Sequence, residues 1–213
     1  MEWIQPTSLK GDAPRQAIEE ALDRDVSRPL EQVPWNDFPL AIKTTWSLLH
    51  GEDAFFVSFR SEEVSIRATE TGPEARVCED SCVEWFLDWG KGVYFNIEIN
   101  PIGSCAFERG QERHGRENLL LSEVSGYRCW ADQGETPFQE KPATGPWNAW
   151  AVLPYHLLPI TREELIRDGL RANFYKCGDS LKTPHYNTWA PIDTPQPDFH
   201  RPEKFAPLSF KAP

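Results

Sequence analysis

The sequence predicts an all-β protein: an antiparallel β-sandwich of the jelly-roll or immunoglobulin-like type, with one or two short helices and a long irregular C-terminal tail. Two observations support this fold class. Short segments with the apolar–polar alternation typical of strands recur along the chain, at 44–50, 53–61, 64–69, 82–88, 93–100, 104–109, 126–132, 148–156 and 171–177. Only two segments, 17–25 and 161–168, have helical spacing. In the second, Thr161 and Glu164 predict a capping box, and Gly169 predicts the end of the helix.

The length of 213 residues fits one domain, so we expect a single β-sandwich domain over 1–213. Residues 1–38 are expected to be an irregular lead-in with one short helix. The tail, 184–213, is too rich in proline for long regular structure, yet it carries several aromatic residues. We therefore expect the tail to pack onto the sandwich, where its loops could cover a binding site.

The formal net charge of −11 argues against a nucleic-acid partner, because phosphate backbones bind clustered lysine and arginine. No apolar run is long enough to insert into a membrane or to act as a signal sequence. The chain as written is expected to be cytoplasmic, or secreted or periplasmic if a leader was trimmed. The five cysteines lack paired zinc-site spacing, and we expect mainly buried thiols. Oligomeric state is left open by the sequence.

The strands predicted at 82–88 and 93–100 carry unusually many polar residues. In the second, Val93, Phe95, Ile97 and Ile99 alternate with a polar set that begins at Tyr94. One face would therefore pack in a core, and the other would expose carboxylates, amides and aromatic rings to solvent. Side chains of these types bind sugars, since an aromatic ring covers the apolar face of a pyranose and polar groups bond its hydroxyls.

A carbohydrate ligand is thus the first hypothesis for this chain. The candidate sugar-binding residues are Glu84, Asn96, Glu98, Arg109, His185, Asn187 and Trp189, with Arg113 in the wider set. A glycoside-processing enzyme that uses Glu84 and Glu98 as paired carboxyls is an alternative. The oxygen-rich turn Glu79–Ser81 makes a structural calcium possible, while no other cofactor is expected.

Several short motifs resemble carbohydrate-binding modules of family 9. The run from Glu79 to Asp88 resembles that family's D-S-x-E-x-F strand, and Tyr94 to Gly103 resembles its y-x-f-x-x-N-x-x-G strand and turn. The runs NFYKCGD, PHYNTWAPI and DFHRPEKF resemble signatures of family 9-like proteins, so the likeness covers most of the chain from about Trp46 to Phe210.

This resemblance implies a jelly-roll sandwich that binds the end of a glycan, or a small sugar, without cleaving it. It also implies structural calcium, Glu84 as the hydroxyl-binding acid, Trp189 as one aromatic wall and Arg109 as a guanidinium partner. Cys78 stands six residues before Glu84, where a second tryptophan is expected. Trp85, Trp130 or an aromatic residue of the tail would then have to form the other wall, or the site is lost or its ligand changed.

A haem-binding domain of the related DOMON type is the least favoured alternative. The only methionine is Met1, which excludes a Met/His haem site inside the sandwich. A bis-histidine site would have to use two of His156, His185 and His200.

Overall fold

The computed structural model describes residues 2–73, 75–119 and 124–213. Within these ranges the chain forms two α-helices, α1 (Arg15–Asp23) and α2 (Arg162–Asp168). The strands of the described ranges are β1 (Glu2–Pro6), β2 (Arg28–Pro29), β3 (Lys43–His50), β4 (Ala54–Glu62), β5 (Ser65–Ala68), β6 (Cys82–Asp88), β7 (Tyr94–Ile99), β8 (Cys105–Gly110), β9 (Glu117–Asn118), β10 (Arg128–Ala131), β11 (Phe138–Pro142), β12 (Trp147–Pro154), β13 (Leu170–Cys177), β14 (Tyr186–Thr188) and β15 (Ala206–Phe210). Short 3₁₀ turns lie at Val77–Glu79, Tyr155–Leu157 and Pro202–Lys204.

The strands form a β-sandwich of two sheets, which confirms the predicted fold class. The first sheet runs in the order β10-β12-β4-β3, with β2 beside β3. The second runs β15-β13-β6-β7-β8-β9, with β14 paired to β13. These neighbours are antiparallel, as predicted. A separate antiparallel pair, β5 and β11, completes the strands.

The core lies between the two sheets and is built from large aromatic side chains. Trp46 of β3 stacks on Phe174 of β13 with ring centroids 3.6 Å apart, and Phe55 of β4 meets Trp85 of β6 edge-on. All four side chains are almost fully buried. Burying each such side chain contributes roughly 1.5–3 kcal/mol to folding, so these contacts hold the sheets together.

The lead-in at residues 1–38 was predicted to be irregular apart from one helix, and this prediction is wrong. Its first strand, β1, belongs to the sandwich. Glu2 to Ile4 pair in parallel with β15, and Gln5 and Pro6 pair in parallel with β3. This strand therefore joins the two sheets at one edge. Its five residues are too few to show a pattern, and its hydrogen-bond partners lie far away in sequence. In the same way β14 and β15 form within the proline-rich tail.

Both predicted helices are present. Helix α1 packs Ile18 and Leu22 onto the outer face of the first sheet, next to Phe56. Helix α2 has the predicted capping box: the Glu164 backbone N–H donates to Thr161 Oγ1, and the Thr161 N–H donates to the Glu164 carboxylate. In the described part of the chain, no helix is long and apolar enough to cross a membrane.

The outer face of the second sheet is covered, which corrects the prediction of a solvent-facing polar surface. Every residue of β7 is buried, including Asn96 and Glu98. The tail lies over this face: Phe199 stacks on Tyr175 of β13 with centroids 4.1 Å apart, and Phe205 packs against Tyr94. Polar residues on this face therefore meet the tail or an enclosed pocket rather than open solvent.

Candidate functional site

A pocket opens between the outer face of the second sheet and the tail. It encloses about 310 Å³, at the low end of the ~300–1,000 Å³ range typical of small-molecule sites. Its lining comes from five separate parts of the chain: Phe38, Cys78, Glu84, Glu98, Arg113, Cys177, Asp179, Tyr186, Gln196, Pro197, Asp198, Phe199 and His200.

Two glutamates form the floor of this pocket. Glu84 of β6 and Glu98 of β7 are directly opposite each other in the antiparallel register. Residues paired in this way have Cβ atoms about 4.5–5.5 Å apart, so the two carboxyl groups share one small volume. Both side chains are at least nine-tenths buried. The alternation of β6 and β7 thus places two carboxyl groups side by side at the base of a cavity.

The roof and walls of the pocket are aromatic. Tyr186 of β14 lies edge-on to Phe38, with ring centroids 4.9 Å apart, and edge-on to Phe199 at 6.1 Å. His200 completes this side, and its Nδ1 lies 2.9 Å from the Tyr94 hydroxyl. The pocket therefore combines a carboxyl floor with aromatic walls that come from residues near position 38 and from the tail.

Burial changes the acidity of the floor. Loss of hydration raises the pKa of Glu98 to about 7, and the nearby Glu108 carboxylate adds to this effect. Burial, followed by repulsion from Glu98, also raises the pKa of Glu84 well above its usual value. Burial lowers the pKa of His200 to about 3, so this imidazole is neutral near pH 7. The floor can therefore both donate and accept hydrogen bonds near neutral pH.

Asn96 holds Glu98 in place rather than lining the pocket. Its Nδ2 donates to Glu98 Oε1 at 3.0 Å, and its Oδ1 accepts from Arg116 Nε at 2.9 Å. The Arg116 guanidinium is itself buried, lies 4.1 Å from the centre of the Tyr94 ring and donates to the Tyr94 carbonyl. This chain of contacts fixes the Glu98 carboxyl from below.

Sulfur atoms surround Glu84. Cys177 Sγ donates to Glu84 Oε1 at 3.0 Å, and Cys82 is directly opposite Cys177 in the register of β6 and β13. Ligand atoms of Cys82, Glu84 and Cys177 lie within 4.8 Å of one another. Burial raises the pKa of both thiols, so they are protonated and act as neutral neighbours of the carboxyl group. Cys78 lines the pocket at the position where the motif resemblance expects a tryptophan.

Besides Asn96, four predicted site residues lie outside this pocket. Arg109 is opposite Phe95 and forms an ion pair with Glu117, 2.7 Å from Nε to Oε2. Trp189 packs edge-on against Trp46 and Phe174 of the core.

The other two, Asn187 and His185, have internal partners. Asn187 accepts from the Ile42 N–H and donates to the Leu40 carbonyl. His185 lies in a buried cluster with Lys176 and Glu63, with 2.9 Å between His185 Nε2 and Lys176 Nζ. These contacts are structural in kind, because each polar group is already paired within the protein.

The three histidines of the haem alternative lie in different places. His156 is exposed, His185 is bound to Lys176, and His200 is bound to Tyr94. His200 lines the pocket above Glu84 and Glu98, and His156 lines a separate one beside Tyr155. The three side chains thus have different surroundings and partners.

In the turn predicted to bind calcium, the carboxylate of Asp80 is already hydrogen-bonded within the protein. Asp80 is fully buried, and its carboxylate accepts from Arg67 Nη1 and from the N–H groups of Thr69 and Glu70 at 2.8–2.9 Å. Asn100 Nδ2 donates to it as well, at 2.9 Å. Calcium needs oxygen ligands, whereas this carboxylate is surrounded by N–H donors. These residues do not fit calcium, and a calcium site elsewhere stays a prediction.

The pocket also contains residues that the sequence did not single out as a site, notably Phe38, Asp179, Tyr186, Phe199 and His200. For Tyr186, Phe199 and His200 the sequence signal was the unusual density of aromatic residues in a proline-rich tail, whereas Phe38 and Asp179 lie outside that tail. Which strand the tail covers depends on tertiary packing, and no local pattern encodes it.

Comparisons with known proteins agree with the fold and with the motif resemblance. The family model described as carbohydrate-binding family 9 matches residues 16–210. A crystal structure of a putative carbohydrate-binding protein from Bacteroides uniformis superimposes with a TM-score of 0.88 at 27% identity, covering 98% of each chain. No curated protein matches this chain.

Two more distant structures share the fold. Both are family 9 carbohydrate-binding modules from Caldicellulosiruptor kristjanssonii. The one in complex with glucose has a TM-score of 0.53 at 10% identity and covers 99% of this chain and 95% of its own. The one in complex with cellotriose has a TM-score of 0.58 at 9% identity, over 100% and 94%.

Proposed function

Because the chain belongs to carbohydrate-binding family 9, we propose that it is a non-catalytic carbohydrate-binding protein whose ligand enters the pocket above Glu84 and Glu98. One observation carries this proposal: two buried carboxyl groups lie side by side under aromatic walls in a cavity of sugar-like size. The motif resemblance had already assigned Glu84 to hydroxyl binding.

Binding would use both kinds of surface. Sugar hydroxyls donate to Glu98, whose carboxyl group is held by Asn96, and exchange hydrogen bonds with Glu84. The C–H face of the ring packs on Phe38, Tyr186 or Phe199. Since both partners are strongly hydrated before binding, affinity depends on how well these groups are held in advance, and we expect it to be modest.

The volume of about 310 Å³ supports a small sugar, or the terminal residue of a glycan, rather than a long chain. The related modules bound to glucose and cellotriose point to the same class of ligand. Gln196 and Pro197 lie at the pocket and belong to the tail, so the tail would close one side of the binding site.

The family assignment, and not the spacing of the two glutamates, favours binding over hydrolysis. A retaining glycosidase needs an acid and a nucleophile ~5–5.5 Å apart on either side of the scissile bond. Glu84 and Glu98 are directly paired in the register of β6 and β7, and residues paired in this way have Cβ atoms at about that separation. Assays separate the two functions: hydrolysis of chromogenic glycosides that is lost in Glu84→Gln would support the enzyme, and inactivity across a broad panel supports the binding protein.

The test is calorimetric titration of the full chain with glucose, cellobiose and a panel of monosaccharides. Phe38 is a half-buried ring of the pocket wall. We expect Phe38→Ala to weaken sugar binding by ~1–2 kcal/mol, about five- to thirtyfold, without loss of folding. Phe138→Ala is the matched control, because Phe138 is also half-buried but belongs to β11, outside the pocket. Equal loss in both variants, or no binding of any sugar at millimolar concentration, would contradict the proposal.

A further inference from the structure

Three of the four acids that line the pocket lack an ion-pair partner. Glu84, Glu98 and Asp179 line it, and none of the three takes part in an ion pair within the described ranges. Arg113 is the one arginine that lines the pocket, and its Nη1 lies 3.3 Å from Asp198 Oδ1. Elsewhere in this chain buried acids are paired, as Glu63 is with Lys176 at 3.1 Å.

We propose that the pocket prefers a sugar that carries a positive charge, an amino sugar with a free ammonium group, over neutral or acidic sugars. The proposal rests on the proposed function and names its ligand class. An ammonium group supplies the charge that Glu84, Glu98 and Asp179 lack, and its N–H groups can donate to two carboxylates at once. An acidic sugar would meet repulsion from the same three groups.

The walls fit the same ligand. Phe38, Tyr186 and Phe199 present aromatic rings around the floor, and a cation near such a ring is attracted by its negative face. The attraction grows when water is excluded, as it is above a floor that is at least nine-tenths buried. The carboxyl groups of the floor and the aromatic rings of the walls thus both attract an ammonium group.

Charged and titratable groups lie around Glu98 and Glu84 on every side. On the sheet and the loop before β9 they are Glu84, Glu108, Arg116, Tyr94, Cys82, Lys176 and Cys177, and on the covering segments Cys78, Arg113, Asp179, Tyr186, Asp198 and His200. Lys176 is paired with Glu63, 3.1 Å from Nζ to Oε2. Arg116 is turned towards Glu108, Asn96 and the Tyr94 carbonyl. His200 is neutral because burial lowers its pKa to about 3. The sum of these groups is acidic.

Proton release gives the proposal a distinctive signature. The pKa of Glu98 is raised to about 7, so the group is partly protonated in the free protein at pH 7. A bound ammonium ion favours the carboxylate and lowers this pKa, and a proton must then leave. A neutral sugar has no such effect. The preference for the amino sugar should also increase from pH 5.5 to pH 7, where the ammonium group stays charged.

The experiment compares 2-amino-2-deoxyglucose with its N-acetyl derivative, glucose and glucuronate by calorimetry on the full chain, after treatment with a chelator. We expect the amino sugar to bind at least tenfold more tightly than glucose, and glucuronate to bind more weakly than glucose. Repeating the titration in two buffers of different ionisation enthalpy should reveal proton release for the amino sugar alone.

Glu98→Gln keeps the shape of the floor and removes its charge. We expect this variant to reduce the ratio of amino-sugar to glucose affinity at least threefold and to reduce proton release, while Glu117→Gln, outside the pocket, changes neither. Equal affinities for glucose and the amino sugar in the unmodified protein would overturn the charge preference and leave the proposed function standing. Absence of binding by every sugar would instead refute the proposed function.

Discussion

Asp80 and Glu84 are two buried acids from neighbouring positions of the same motif, and their surroundings are opposite. Asp80 accepts hydrogen bonds from Arg67, two backbone N–H groups and Asn100. Glu84 accepts one from the neutral thiol of Cys177 and lies beside a second acid, Glu98. The first carboxylate is paired within the protein. The second faces a cavity.

The difference separates a structural acid from a binding acid. A buried charge that is fully hydrogen-bonded stabilises the fold that provides its donors. A buried carboxyl group without a cation is destabilising, and a fold retains it at a cost that a bound ligand can offset. The run from Asp80 to Glu84 thus places an acid of each kind within one turn and strand.

The largest change in stability is expected when Asp80 loses its charge. Asp80→Asn replaces a carboxylate with an amide whose NH₂ would oppose some of the N–H donors that now surround it. It also leaves the Arg67 guanidinium without its closest acid. We expect a loss of about 3 kcal/mol or more in the free energy of unfolding, measured by urea denaturation. A loss below 1 kcal/mol would show that Asp80 is not a structural acid.

Removing the charge of Glu98, which has no ion-pair partner among the described residues, should raise the free energy of unfolding at neutral pH, whereas removing that of Asp80 lowers it. A raised pKa means that the folded state holds a proton that the unfolded state releases, so the contribution of Glu98 to stability is most favourable below pH 4.5 and declines as the pH rises towards 7. Over this window Glu98 alone should cost about 2–3 kcal/mol, at about 1.4 kcal/mol per pH unit. Glu98→Gln should reduce this slope and leave the variant more stable at pH 7.5.

Urea titrations at pH 5, 6, 7 and 8 measure this slope in both proteins. An identical slope in the two would mean that Glu98 titrates as a solvent-exposed acid does, and the contrast with Asp80 would fail.

The smallest effect is expected at an exposed acid on the same sheet. Glu117 pairs with Arg109, which lowers the pKa of Glu117, but both side chains are in solvent. Exposed ion pairs contribute little because water and salt screen them. Glu117→Gln should leave the urea midpoint and its pH dependence unchanged, and a clear shift in either would show that position within this sheet, rather than burial, controls the response to charge removal.

Strands with several alternating residues could be predicted from the sequence. All nine predicted segments overlap observed strands, from β3 (Lys43–His50) to β13 (Leu170–Cys177). The strands that were missed are short or contain proline, as β1 and β15 do. The two-residue strands β2 and β9 are too short to alternate, and β1 pairs with the distant β15, which no local pattern reveals.

The floor of the candidate site was also accessible to sequence reasoning, and its roof was not. Alternation along β6 and β7 places Glu84 and Glu98 on one face. The same alternation places Arg109 opposite Phe95, on the core side, so its proximity in sequence to the turn was misleading. Tyr186 and Phe199 meet above the floor only because the tail folds back, and Trp189 packs inward for the same reason.

The parallel pairing of β1 with β15 also affects how the protein can be made. Glu2 is aligned with Leu208, and the adjoining residues of β1 connect this edge to β3. A ribosome that adds ~5–20 residues per second must therefore deliver β15 before the two sheets can be joined at this edge. Until then the edge of β1 that pairs with β15 is open to association with other chains. Closure of this sandwich thus waits for β15, and fragments that stop before β15 should depend strongly on chaperones.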